Sequence, residues 1–133
     1  MTRGVILLGG LLLLVVAGIV AGVGLVGPAE RDPPPELVVA GGDPERGKEV
    51  IRRSGCSACH VIPGIAGADG LVGPPLDHFA RRAYVGGVLP NRPQNLVAWL
   101  LDPPAINEKT AMPAPGISEA EARDVAAYLY RLH

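Results

Sequence analysis

Two cysteines three positions apart, with a histidine directly behind the second, constrain this chain more than any other stretch of its 133 residues: Cys56-Ser57-Ala58-Cys59-His60. Thiols at that spacing, set at a helix end, reach the two vinyl groups on one edge of a porphyrin and form thioethers. The histidine that follows then lies under the ring and offers an imidazole nitrogen to iron. Three other chemistries use similar residues. A redox dithiol needs no adjacent histidine and normally follows a strand in a βαβ unit, a pattern this chain lacks. A zinc site needs a second Cys or His pair at ligand spacing, which His78 and His133 do not form. A structural disulfide is open to any exported chain. Export, a helical end before Cys56 and a long loop after His60 decide for one covalent haem c, held by Cys56, Cys59 and His60.

The N-terminal part obeys different rules. From Gly4 to Ala29 there is no charged residue, and Leu, Val, Ile, Ala and Gly supply nearly everything up to Gly27. At about 1.5 Å per residue such a run spans the roughly 30 Å hydrocarbon core of a bilayer. It exceeds a signal-peptide core, and Gly22-Val23-Gly24 and Gly27-Pro28-Ala29 make poor cleavage sites. Residues 1–27 are therefore expected to be a retained transmembrane signal-anchor helix. Arg3 is the only charged side chain before it, which places the N-terminus in the cytoplasm and the rest of the chain on the periplasmic or extracytoplasmic side of the cytoplasmic membrane. Gly18 and Gly22 form a G-x-x-x-G, a spacing that lets helices pack closely but is also common in membrane helices.

Residues 28–42 contain Pro33-Pro34-Pro35 and Gly41-Gly42. They read as a semi-stiff polyproline II tether ending in a glycine joint, outside any core. Residues 43–133 form the head, a domain of a size that often needs a cofactor for stability. Its aromatic supply is five side chains, Phe79, Tyr84, Trp99, Tyr128 and Tyr130, so a haem is expected to fill its centre. Three helices are predicted. Asp43 caps the first, which opens on Pro44, runs to about Arg53 and stops at Gly55. The second covers Gln94–Leu101 between Pro93 and Pro103-Pro104. The third starts at the capping box Ser118-x-x-Glu121 and continues to Leu132. Between the first two lies a Gly- and Pro-rich stretch of a length that usually wraps something. No β-branched alternation appears, so the class is all-α, with no internal repeat. The basic residues are scattered and the net charge is −1, which excludes nucleic acid as a partner.

An axial ligand opposite His60 is still needed. Met112, in Thr110-Ala111-Met112-Pro113, is the only methionine besides Met1. A lone methionine is usually core filler, but a soft thioether in a proline-bounded loop suits a haem iron. His60 and Met112 are thus the expected metal ligands, with His78 and His133 as rivals. His78 reads as surface, and His133 as a fraying last residue.

On these residues the head resembles the small single-haem cytochrome c family with His/Met ligation, over Asp43–Leu132. Asp43-Pro44-Glu45-Arg46-Gly47-Lys48 resembles the family's first helix, and Arg123–Leu129 its last, with Gly47 and Tyr128 at their crossing. The resemblance implies the cytochrome c fold, three main helices wrapped around one covalent haem. It implies further that Pro74 accepts a hydrogen bond from the haem-ligating histidine, that Arg81 and Thr110 approach propionates, and that Trp99 sits near the methionine sulfur where relatives often carry a tyrosine. It also implies electron transfer, with a quinol-oxidising complex as donor and a terminal oxidase as acceptor. A fixed haem subunit of an oxidase or nitric oxide reductase complex is the alternative. An enzyme or gas sensor with an open iron site would require that Met112 not bind. The lysine ring of soluble relatives is missing, since Lys48 and Lys109 are the only lysines. The haem edge is accordingly expected to be framed by Ala58, Val61, Ile62, Ala111, Pro113 and Ala114.

Overall fold

Asp43 starts the first helix as its sequence predicts. Its carboxylate accepts from the Glu45 and Arg46 N–H groups at 2.9 and 3.1 Å, and Pro44 takes the first helical position. In this computed structural model, which describes residues 32–133, the resulting helix α1 spans Pro44–Arg53. Gly55, at φ 74°, turns the chain in the left-handed region that glycine enters freely, and the attachment turn Cys56–Ala58 follows. The chain then runs without long regular structure to α2, Pro93–Leu101. Asp102 ends α2 and at once caps a short helix α3, Pro103–Ile106, by accepting from the Ala105 N–H at 3.2 Å. The Pro103-Pro104 pair therefore does more than close a helix: proline at the first position opens the next. The last helix, α4, spans Glu119–Leu129 and opens on the complete capping box. Ser118 Oγ accepts from the Glu121 N–H, and the Glu121 carboxylate accepts from the Ser118 N–H at 2.7 Å.

Helices α1 and α4 cross where α1 can carry nothing larger than glycine. A Cβ on Gly47 would run into the Asp124 carbonyl oxygen and come within 3.1 Å of Tyr128 Cβ. The same crossing hides a charge cluster. Asp124, buried in α4, accepts from the Asp43 N–H at 2.7 Å and from both Nε and Nη2 of Arg46 at 2.9 Å. Burial alone would raise its pKa, but the Arg46 fork and the Asp43 N–H outweigh that and hold it below the ordinary carboxylate value. Leu96, Trp99 and Leu100 of α2 join Ile51 of α1 and Val125 and Leu129 of α4 in one buried apolar cluster.

Two expectations need correction. The head is mainly helical, but it also holds an antiparallel ribbon of β1 (Tyr84–Val85) and β2 (Leu89–Pro90), paired Tyr84 to Pro90 and Val85 to Leu89. Gly86 and Gly87, at φ 56° and 74°, make its reversal possible. Strands of two residues are too short to show any alternation. The 28–42 tether is also not wholly outside the core. Pro34 keeps polyproline II angles (φ −59°, ψ 152°), but Pro35–Leu37 then forms a 3-10 turn, and Leu37 and Val39 are each only 8 % exposed. The Arg131 guanidinium lies 3.9 Å from the Asp32 carboxylate. The segment from Asp32 belongs to the folded head, because two of its apolar side chains, Leu37 and Val39, find a place in the cluster. The expected membrane helix at 1–27 lies outside the described residues. Among those described, no helix is long and apolar enough to cross a membrane.

Candidate haem site

His60 is oriented from behind. Its Nδ1 lies 2.7 Å from the Pro74 carbonyl oxygen, which fixes Nδ1 as the protonated nitrogen and leaves Nε2 with its lone pair available. The contact survives because the chain beside it has no side chain in the way. A Cβ at Gly73 would run into the imidazole itself, and the Gly73 N–H donates to the Cys59 carbonyl at 2.8 Å.

Cys56, Cys59 and His60 open on a cavity of about 430 Å³ whose walls also carry Met112, Thr110 and Trp99. Its floor is the buried face of α1, α2 and α4, and Phe79, Val85 and Leu76 close its side. No disulfide joins the two cysteines, so both sulfurs remain for thioether bonds. Trp99 is buried with its ring under the β-turn, where a Cβ on Gly86 would stand 2.5 Å from the indole. Thr110 Oγ1 accepts from the Met112 N–H at 3.2 Å and so holds the methionine turn in shape.

The cavity's chemistry fits a haem. One imidazole nitrogen is free, a thioether shares the cavity, two thiols stand at vinyl spacing, and the remaining walls are largely apolar, as the faces of a porphyrin require. The rival histidines do not line it. His78 is exposed, at φ 48° beside Asp77, and His133 follows a docked rather than frayed end, because the Leu132 carbonyl accepts from the Ala80 N–H at 3.0 Å.

Arg81 is exposed and off the cavity wall, while Arg82 is on it. A 3-10 turn at Phe79–Arg81 sets the two side chains in different directions. Arg82 donates to the Pro75 and Asp77 carbonyls, the latter at 3.1 Å, and its guanidinium stacks 5.3 Å from the Phe79 ring. It thereby pins the segment directly after Pro74. Two adjacent arginines look alike in sequence, and only the turn separates them. Of the residues expected to frame the edge, Ala58, Ala111, Pro113 and Ala114 are exposed, but Ile62 is buried and Val61 is held in a bridge with Asp69. Val72, unmarked in the sequence, lines the cavity and is exposed, with Leu71 exposed beside it.

A family model described as cytochrome c matches residues 44–133. Two curated relatives are each named cytochrome c oxidase subunit 2. The one from Alkalihalophilus pseudofirmus is 32 % identical over 105 residues, covering 78 % of this chain and 28 % of that protein. The one from Bacillus subtilis is 30 % identical over 89 residues, covering 64 % and 25 % respectively. The chain spans about a quarter of the length of these relatives. The family match contains every residue of the cavity wall, from Ile51 to Leu129. The chain belongs to the cytochrome c family, which implies a covalently bound haem c.

Proposed function

We propose that this chain is a membrane-anchored, single-haem electron carrier that works on the outer face of the cytoplasmic membrane. It takes electrons from a quinol-oxidising complex and donates them to a terminal oxidase. The observation that carries the reading is the shared cavity of His60 and Met112, with His60 already committed through Nδ1 to Pro74. His60 and Met112 would hold the iron between them, leaving no place on it for a substrate, and a thioether ligand would favour the reduced state. When bound, haem supplies a one-electron couple. The protein's own residues tether it (Cys56, Cys59), orient its ligand (Pro74, with Arg82 pinning the next turn), shape the methionine loop (Thr110) and exclude water (Trp99 and the apolar floor). Arg82 is the arginine of the pair that lines the cavity, and we assign it the propionate role expected of Arg81.

The uncharged run at 4–29 supports the anchor, and the relatives' name supports an oxidase as acceptor. That same name favours a second reading, a fixed haem subunit of an oxidase complex. Native gels of gently solubilised membranes, stained for haem, separate the two: a free carrier runs alone, a subunit runs with the oxidase. The electron-carrier reading itself is tested on the purified full-length protein. The ferric form should show the near-infrared sulfur–iron band, and the ferrous form should not bind carbon monoxide. Met112→Ala should keep the haem attached, bind carbon monoxide and lower the midpoint potential. Rapid carbon monoxide binding by the unaltered protein defeats the reading, and an unchanged potential in the variant returns the ligand role to His78 or His133.

A further inference from the structure

Leu71 and Val72 are 86 % and 74 % exposed, the highest among the large apolar side chains of the described residues. A lone exposed leucine is ordinary. The way this pair is held is not. The Gly70 N–H donates to the Ser57 carbonyl at 3.3 Å and the Gly73 N–H to the Cys59 carbonyl at 2.8 Å, so both ends of the dipeptide are tied to the attachment turn. Neither flanking position has room for a side chain. A Cβ at Gly70 would strike the Ala58 carbonyl, and one at Gly73 the His60 ring. The backbone is thus clamped against the attachment turn and the histidine, with two apolar side chains left in water.

Val72 also lines the cavity, as do Ala111 and Pro113, both exposed. Neither segment carries a charge: residues 70–76 and 110–118 contain no Asp, Glu, Lys or Arg. Charges resume at the borders, where Asp69, Asp77, Lys109 and Glu119 are all exposed. An apolar centre with a polar margin is how protein–protein interfaces are laid out.

We propose that Leu71 and Val72, with Ala111 and Pro113, form the surface on which a redox protein docks, and that this partner presents an uncharged, apolar face to it. The inference rests on the electron-carrier reading above and adds the chemistry of the partner. A charged partner face would lose its hydration against this patch and find no opposite charge in return. An apolar face covers side chains that are otherwise left in water. The surface lies at the haem attachment turn, so docking there brings the acceptor close to the electron's source. Because no charge pair steers the encounter, the rate should vary little with salt.

The test uses native membranes from cells carrying either the full-length holoprotein or its Leu71→Ser/Val72→Ser double variant. Reoxidation of the haem by oxygen is followed at ~20 and ~200 mM salt, across which the screening length shortens about three-fold. Oxidation by ferricyanide, which needs no protein docking, is measured in parallel. The double variant should be reoxidised about ten-fold more slowly in membranes, the loss expected when central apolar contacts are truncated. A Leu71→Ser single variant, changed off the cavity wall, should keep its ferricyanide rate, absorption spectrum and midpoint potential while its reoxidation in membranes still slows. The unaltered protein should change less than about two-fold between the two salt conditions. Equal reoxidation of the two forms overturns the docking surface and leaves the carrier reading intact. A rate that collapses with salt overturns the uncharged partner face. Absence of reoxidation in the unaltered protein defeats the carrier reading and the surface together. Loss of binding to protein-free phosphatidylcholine vesicles alongside the rate would overturn the proposal in favour of a lipid surface. A dimer that the double variant dissolves would do the same in favour of a second copy.

Discussion

The α1–α4 crossing and the loops between residues 55 and 92 are held by opposite means. The crossing joins two capped helices through a glycine with no room to spare and a buried carboxylate that accepts three hydrogen bonds. It closes on itself. The loops are fastened mainly by single backbone bonds, such as Leu76 N–H to Val61 O at 2.8 Å and Asn91 N–H to Ala83 O at 2.9 Å, around a cavity that they line together with the helices. Two tyrosines of the last helical stretch join the regions. The Tyr128 hydroxyl donates to the Pro63 carbonyl on one side. On the other, Tyr130 donates to Asn91 Oδ1 at 2.9 Å, while Asn91 Nδ2 donates to the Phe79 and Arg82 carbonyls at 3.0 Å. Such a division teaches that the helix pair supplies a frame and that the loops depend on what they enclose.

The sharpest way to break this comparison is to remove the attachment. Cys56→Ala with Cys59→Ala should abolish the haem-stained band on a denaturing gel. Amide exchange across 55–92 should then rise by at least about a hundred-fold, while residues 44–53 and 119–129 keep more of their protection. A uniform loss would show that the two regions are one cooperative unit. Gly47→Val comes next. Its side chain has nowhere to go but into the Asp124 carbonyl, so urea unfolding of the holoprotein should show a loss of about 3 kcal/mol. A loss under about 1 kcal/mol would mean that the crossing is looser than described.

Asp124→Asn should cost about 2 kcal/mol at neutral pH, in line with hydrogen bonds made to a charged group. Its pH dependence carries a sign. The folded pKa lies below the unfolded one, so the carboxylate's contribution is complete above about pH 4 and lost as pH falls through the folded value. Unfolding midpoints of the unaltered protein should therefore drop on acidification through that range, and those of the Asn variant should drop less. The smallest effect is expected from Ser118→Ala, which removes one cap acceptor from α4 and should cost about 1 kcal/mol, with haem absorption unchanged.

What was legible from residues alone follows the same division. Capping residues and a proline at the first helical turn act within one or two turns of chain, so Asp43, Pro44 and the Ser118–Glu121 box announce α1 and α4 directly, whereas Gly47 stands out only through the family resemblance. The Cys56–His60 run announces the haem because its spacing is fixed by the porphyrin. Less was legible where a role depends on distant neighbours. Asp124 reads as one more surface acid on a helix, and only folding brings Arg46 and the Asp43 N–H to it. Leu37 and Val39 sit in proline-rich company that argues for an extended strap. Arg81 and Arg82 differ only by a turn. Leu71 and Val72 lie between glycines, and nothing local says that those glycines are pressed against the haem attachment turn.

The buried side chains at Leu37 and Val39 bear on where an isolated head domain should be cut. A fragment begun at Asp43, the boundary that composition recommends, would strip two apolar anchors from the head and bare the surface beneath them. At roughly 1.5–3 kcal/mol for each aliphatic side chain buried, the omission would consume much of a small domain's net stability of about 5–15 kcal/mol. A fragment begun at Asp32 keeps both anchors and the Arg131 contact at the cost of eleven further residues. For expression, crystallisation or electrode work, the useful start of the head is Asp32.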